Sequence, residues 1–221
     1  MKLPKLVIFD LDGTLVDSSP DLCASLNHVL LELGRSPIDA STVRHLVGHG
    51  ARVLIERGLA LTGGASEAEV VRGVPLFLTH YAAHIADGTR AFEGVEDVFD
   101  ALTAAGTVLA ICTNKPQALS DALVTALGWN RRFAAVVGAD SVPARKPDAG
   151  HVRATAAAAG VDLADAVFIG DTNVDVGAAR AAGVPVIVVG FGFADDARDL
   201  GADRVIDHYS ELLPALSELA R

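Results

Sequence analysis

Short apolar runs recur along the chain at residues 5–10, 107–112, 134–138, 166–170 and 185–189, with a shorter one at 204–206. Runs of this length without polar alternation are expected of strands buried on both faces. Between them, residues 116–127, 148–159, 173–182 and 210–220 place apolar side chains at helical spacing and are rich in alanine, the strongest helix former. The alanine run at 154–159, broken by Thr155, predicts a helix packed closely on the sheet. Strand and helix in alternation predict a parallel sheet with right-handed crossovers, covered on both faces. The fold class is therefore α/β with a Rossmann-like core.

The rhythm fails once. From about Ser18 to Ala91 no strand pattern occurs, and helical patterns run at 20–33, 41–46, 51–61 and 67–86. Gly34-Arg35-Ser36-Pro37, Gly48-His49-Gly50 and Thr62-Gly63-Gly64 punctuate them as turns. Such an interval is too long for a crossover. It predicts a helical cap inserted after the first strand, with the core at 1–16 and 92–221, the cap at 17–91, and hinges near 16–19 and 88–94.

Composition narrows the setting. The chain has 221 residues, 51% of them apolar, enough for one sizeable core with an insertion. Eighteen basic against 28 acidic side chains leave a net charge of -10, which argues against nucleic acid or an anionic membrane as partner. A small phosphorylated metabolite stays open, because a few local cations and a metal can dominate a small site. Cys23 and Cys112 are too far apart in sequence to read as a redox or metal-binding pair, which fits a reducing cytoplasm. Met1-Lys2-Leu3-Pro4-Lys5 runs straight into a strand without a signal-peptide pattern, and no apolar stretch approaches the ~20 residues that span a bilayer. A cytoplasmic protein is expected, either monomer or homodimer.

The chemistry-bearing residues fall at strand ends. The first strand delivers Asp10 and Asp12, followed by Gly13-Thr14, and nothing structural requires that crowding of like charge. In an open parallel sheet, ligands bind at the carboxyl ends of the strands. The run at 107–112 leads into Thr113-Asn114-Lys115, the run at 166–170 into Asp171 and Asp175, and Arg145-Lys146-Pro147 follows the run at 134–138. Proline there is expected to open the next helix and fix the chain behind Lys146. Lys115 reads as a surface lysine, and Cys112 as a small buried hydrophobe beside the site.

Asp10-Leu11-Asp12-Gly13-Thr14, Thr113-Asn114, Lys146-Pro147 and Gly170-Asp171 followed by Asp175 resemble the four motifs of the haloacid dehalogenase superfamily, in the family's order. The resemblance spans residues 5 to about 189. It implies a phosphomonoester hydrolase in which Asp10 is nucleophile and metal ligand, and Asp12 is proton carrier and a metal ligand through its backbone carbonyl. Mg²⁺ would be held by Asp10, Asp12 and Asp171. Thr113, Asn114 and Lys146 would hold the phosphate oxygens, with Asp175 behind them orienting water at the metal or Lys146. Hard oxygen ligands suit Mg²⁺, and an aspartyl phosphate would form and be hydrolysed.

The cap is expected to set the substrate. Its most cationic stretch, residues 44–57, holds His49 and Arg52, candidates for a carboxylate or second anionic group. Val47-Gly48-His49-Gly50-Ala51 and Gly190-Phe191-Gly192-Phe193 resemble bacterial phosphoglycolate phosphatases, implying hydrolysis of 2-phosphoglycolate. The alternatives are a phosphatase for a sugar phosphate or pyrophosphate, a phosphomutase, and a phosphoryl-accepting signalling module. The last needs neither a cap nor Asp12. Asp12 also argues against the dehalogenase branch, which lacks the second acid.

Overall fold

The computed structural model describes residues 2–220. Its strands are β1 (Leu6–Phe9), β2 (Val16–Asp17), β3 (Arg90–Ala91), β4 (Val108–Cys112), β5 (Ala135–Val137), β6 (Ala166–Gly170), β7 (Val186–Val189) and β8 (Arg204–Ile206). Six of them form one sheet in the order β5-β4-β1-β6-β7-β8, and every adjacent pair is parallel. The chain builds outward from β1 to β4 and β5, then returns to β6 on the other side of β1. Strand order therefore reverses between β1 and β6, where a crevice opens at the carboxyl ends. Phe9 is in register with both Ile111 and Ile169, so Asp10, Thr113 and Asp171 emerge side by side.

The helices are α1 (Ser19–Glu32), α2 (Ala40–Arg44), α3 (Ala51–Leu61), α4 (Glu67–Ala83), α5 (Val95–Ala104), α6 (Gln117–Ala126), α7 (Ala149–Ala158), α8 (Asn173–Ala182) and α9 (Leu212–Leu219). Because successive strand residues face opposite ways, β1 buries Val7 and Phe9 in one layer and Leu6 and Ile8 in the other. The first layer holds Val98, Phe99 and Leu102 of α5, Leu123 of α6 and Leu216 of α9. The second is finer-grained, with Val152 and Ala156 of α7 and Ala178 and Ala179 of α8 against Ala110 and Val186. Small side chains there let the two helices lie close to the sheet, as the alanine-rich pattern predicts.

Helices α1 to α4 bury a third apolar cluster of their own, including Leu26, Val29, Ile55, Leu59, Val70 and Phe77. Gly58 faces Leu26 and Gly73 faces both Ile55 and Val29 at 3.0 Å or less from a notional Cβ, so these helices approach closely. Leu119 of α6 joins this cluster and connects the helical unit to the sheet layer. Among the described residues no helix is long and apolar enough to cross a membrane.

The apolar pattern misses two features. The interval read as strand-free ends in β3, which pairs antiparallel with β2 across the two crossing points, Val16 with Ala91 and Asp17 with Arg90. Two-residue strands are too short to show a period. Helix α5 is also missing from the pattern-based set, although it fills the connection to β4. Two ends shift as well. Helix α4 stops at Ala83 because His84 leaves helical geometry (φ -127°, ψ 38°), and α9 begins at Leu212 after a 3-10 turn over Tyr209–Glu211.

Candidate active site

Asp10 follows β1 directly, and its backbone N–H donates to the Ile169 carbonyl at 2.9 Å. Gly13 turns the chain with φ +81°, and a Cβ there would lie 2.1 Å from Asp171 Oδ2. Only glycine meets both demands. Asp171, at the end of β6, accepts from the Phe193 N–H at 2.8 Å and from Thr14 Oγ1 at 3.2 Å. Asp175 lies one turn into α8, where it forms a capping box with Thr172. Its Oδ2 accepts from the Thr172 N–H and hydroxyl at 3.0 and 2.7 Å, while its Oδ1 takes Lys146 Nζ at 2.6 Å. Lys146 Nζ also lies 2.8 Å from Asp10 Oδ1, but out of line for a directed hydrogen bond, so that buried oxygen keeps free coordinating capacity.

The electrostatics follow from burial. Asp10 is held up at about 7, chiefly because burial disfavours its charge; Lys146 pulls it down and Asp175 pushes it up. Asp171 is raised well above the carboxylate range by burial, Asp175 and Asp10. Lys146 is raised despite its burial, because Asp10 and Asp175 flank it. Two ammoniums, Lys115 and Lys146, face four carboxylates here, at Asp10, Asp12, Asp171 and Asp175. One oxygen each from Asp10, Asp171 and Asp175 lies within 4.8 Å of the others, but Asp175 is already paired with the Lys146 ammonium, whereas Asp171 accepts only from the uncharged Thr14 hydroxyl and Phe193 N–H. Asp10 and Asp171 thus remain as hard, underneutralised donors, and that set fits a divalent cation of the Mg²⁺ type.

Asp12 occupies a different environment. Its carboxylate receives Lys115 Nζ at 2.8 and 2.9 Å and the Ser18 hydroxyl at 2.6 Å. Lys115 is no surface lysine: it is 5% exposed, and its Nζ also donates to Tyr81 Oη of α4 at 2.6 Å. Burial lowers the Lys115 pKa, yet Asp12 and Tyr81 outweigh it and the group stays cationic. The sequence signal was weak. A lysine opening a helix usually faces water, and its partner Tyr81 is 34 residues away in another helix.

A chamber of about 50 Å³ lies between the strand ends and the helical unit, room for a few water-sized groups. Asp10, Asp12, Thr113 and Lys115 line its polar side; Leu22, Val47, Ala51, Leu54, Phe77 and Leu119 line the rest. Thr113 Oγ1 accepts the Lys115 N–H at 3.1 Å, which leaves the hydroxyl hydrogen free to point inward. Asn114 is drawn into closure: its amide donates to the Gly48 and Lys146 carbonyls, both at 3.1 Å. It therefore ties the roof to the Lys146 loop. Gly48 and Gly50 border the chamber with φ +104° and +88°.

Neither His49 nor Arg52 lines that chamber. Arg52 Nη2 pairs with Glu67 at 2.5 Å, and both side chains are exposed. His49 lines a neighbouring cleft of about 400 Å³ with Thr172, Asn173 and Arg57. Arg44 is the cap cation that does bridge: it contacts Asp17 at 3.2 Å and the Phe191 and Gly192 carbonyls at 3.2 and 3.1 Å. Behind Lys146, Asp148 rather than Pro147 caps α7. His151, fully buried, accepts the Lys146 N–H on Nδ1 at 3.2 Å and donates from Nε2 to the Val137 carbonyl at 3.1 Å. Burial and Lys146 hold it down at about 4. A lone histidine in an alanine-rich helix carries no sequence signal for that role.

The chain is similar to known proteins along most of its length. A family model for haloacid dehalogenase-like hydrolases matches residues 7–189. A phosphoglycolate phosphatase of Agrobacterium fabrum is 44% identical over 218 residues, covering 98% of this chain and 94% of the relative. The phosphoglycolate phosphatase of Caulobacter vibrioides is 45% identical over 93% of this chain and 88% of its own. The crystal structure of a predicted phosphoglycolate phosphatase from Haemophilus somnus superposes with a TM-score of 0.90 at 29% identity, covering 97% and 99% of the two chains.

Proposed function

The chain belongs to the haloacid dehalogenase-like hydrolase family, and from that premise we propose that it hydrolyses 2-phosphoglycolate to glycolate and phosphate through a phosphorylated Asp10. At the coarser level it is a phosphatase. One observation carries the division of labour: Asp10 and Asp12, two residues apart, are partnered by different lysines. Asp10 is buried beside Lys146 and Asp171, whereas Asp12 faces Lys115 and Ser18.

In this reading an Asp10 oxygen attacks phosphorus in line with the ester oxygen, forming an aspartyl phosphate as the ester P–O bond breaks. Asp12 gives its proton to the departing oxygen, which leaves as a hydroxyl. Water then attacks the same phosphorus, its proton passes to Asp12, and the bond to Asp10 breaks to restore the carboxylate. Proton transfer of this kind contributes about 10²–10⁴-fold. Lys146 Nζ and the Thr113 hydroxyl hold the non-bridging oxygens, and Asp175 keeps Lys146 aimed at Asp10. Asp10, Asp171 and the Asp12 backbone carbonyl would hold Mg²⁺, whose charge offsets repulsion between the phosphate dianion and Asp10.

Residues 17–91 act as the cap that roofs the site and excludes water. The chamber supports a small substrate. Its side away from the strand ends is apolar, so the hydroxyls of a hexose phosphate would lose water without gaining partners, at about 1–3 kcal/mol each. The relatives named phosphoglycolate phosphatase support the same choice. A substrate panel tests it. We expect kcat/KM for 2-phosphoglycolate to exceed that for hexose phosphates by at least ~10²-fold, with activity lost on chelation and restored by Mg²⁺. Equal turnover of hexose phosphates would remove the substrate assignment and leave the phosphatase.

A further inference from the structure

We infer that Lys115, held by Tyr81, is the specificity-determining residue that receives the carboxylate of the substrate. This inference rests on the reading of the substrate as a phosphorylated 2-hydroxy acid. The leaving oxygen sits at Asp12, and in such a substrate the carboxylate carbon is two bonds from that oxygen. The carboxylate must therefore lie beside Asp12, where the Lys115 ammonium is found, 2.8 and 2.9 Å from the two Asp12 oxygens.

Among the described residues lining the chamber, Lys115 is the only cation. Arg52 pairs with Glu67 on the outer face, Arg44 is engaged with Asp17 and two carbonyls, and His49 and Arg57 line the adjoining cleft. The Lys115 ammonium has three N–H groups; it touches both Asp12 oxygens and Tyr81 Oη. One contact with Asp12 is redundant, so an incoming carboxylate can take it while the other keeps Asp12 in place. Tyr81 Oη accepts from Lys115, which leaves its own hydrogen to donate to the same carboxylate. Tyr81 belongs to α4 and Lys115 to the strand-end loop. Recognition would thus join the two halves of the chamber.

A buried ammonium has a bland alternative role, holding Asp12 alone, and the two roles separate by substrate. Phosphoglycolate and ethyl phosphate differ at the carboxylate and share the phosphate, the ester oxygen and the adjoining methylene. The experiment compares kcat/KM for this pair in the parent protein, Lys115→Met and Tyr81→Phe, with thermal melting as the check on folding. Recognition predicts that the parent prefers phosphoglycolate and that Lys115→Met loses roughly 10- to 100-fold of that preference, the size of a charge-assisted contact. Tyr81→Phe is expected to lose several-fold, mainly through KM. If Lys115→Met slows both substrates equally, the inference is overturned and the phosphoglycolate reading stands. A parent protein without any preference overturns both. Should Lys115→Met fail to fold, Tyr81→Phe decides: an unchanged preference overturns the inference.

Discussion

The strand-end rim and the helical roof both carry charged side chains, but they use them differently. At the rim, Asp10, Lys146, Asp171 and Asp175 are almost fully buried and partner one another within a few ångströms. On the roof, Arg52 and Glu67 pair in solvent, and what faces the chamber is mostly hydrocarbon plus Tyr81. A buried charge that has shed its water is held only by its partners, so its geometry is fixed. An exposed pair is screened and interchangeable. In the proposed mechanism reaction type therefore resides in the rim, and selection among substrates falls to the shape of the roof and to Lys115, to which the roof lends the Tyr81 hydroxyl.

The largest break in that contrast should come from Asp10→Asn. Turnover is expected to fall by at least ~10⁴-fold, on the scale of removing a nucleophile, while circular dichroism remains that of the parent. Gly13→Ala comes next. A methyl there would meet Asp171 Oδ2 at 2.1 Å on a backbone with φ +81°. Melting temperature should fall, and the Mg²⁺ concentration needed for half-maximal activity should rise about tenfold or more.

A pH effect sharpens the same contrast from beneath the rim. His151 is held at about 4 in the fold against an ordinary value of 6.5, by burial and by Lys146. A base with a depressed value contributes stability that is complete above about 6.5 and is lost as pH falls toward 4. The loss approaches ~3 kcal/mol at the acid end, since one unit is worth about 1.4 kcal/mol. His151→Asn keeps an acceptor for the Lys146 N–H, so its urea midpoint should change less between pH 7.5 and 5 than the parent's. The smallest effect should be Arg52→Ala, which we expect to leave kcat/KM for phosphoglycolate within twofold. A tenfold loss there would place the roof's cations in the site after all.

Legibility divides along the same line. Helix α8 and strand β6 begin and end where their patterns do, because fully apolar runs and capped helices leave local marks. Asp10, Thr113, Lys146 and Asp171 could be read as one cluster because strand ends in a parallel sheet share an edge. What escaped was made by long-range contacts. Lys115 looks like any lysine at a helix start until Asp12 and Tyr81 close on it. His151 gains meaning only when the Lys146 loop lays its N–H on the ring. Arg52 misled in the opposite way. Its place in a cationic stretch suggested a ligand contact, but helix geometry turns it toward Glu67.

The central claim is that the two rim carboxylates hold separate jobs, and one measurement reaches it directly. Asp12→Asn, mixed with p-nitrophenyl phosphate and Mg²⁺ and then quenched in acid, can be weighed intact and mapped by peptide mass. That leaving group departs without a proton, so the variant should still become phosphorylated but should fail to activate the hydrolytic water. One phosphoryl group per chain, located on Asp10, is expected. Turnover with no covalent phosphoryl group, or a phosphoryl group on any other residue, would contradict the claim.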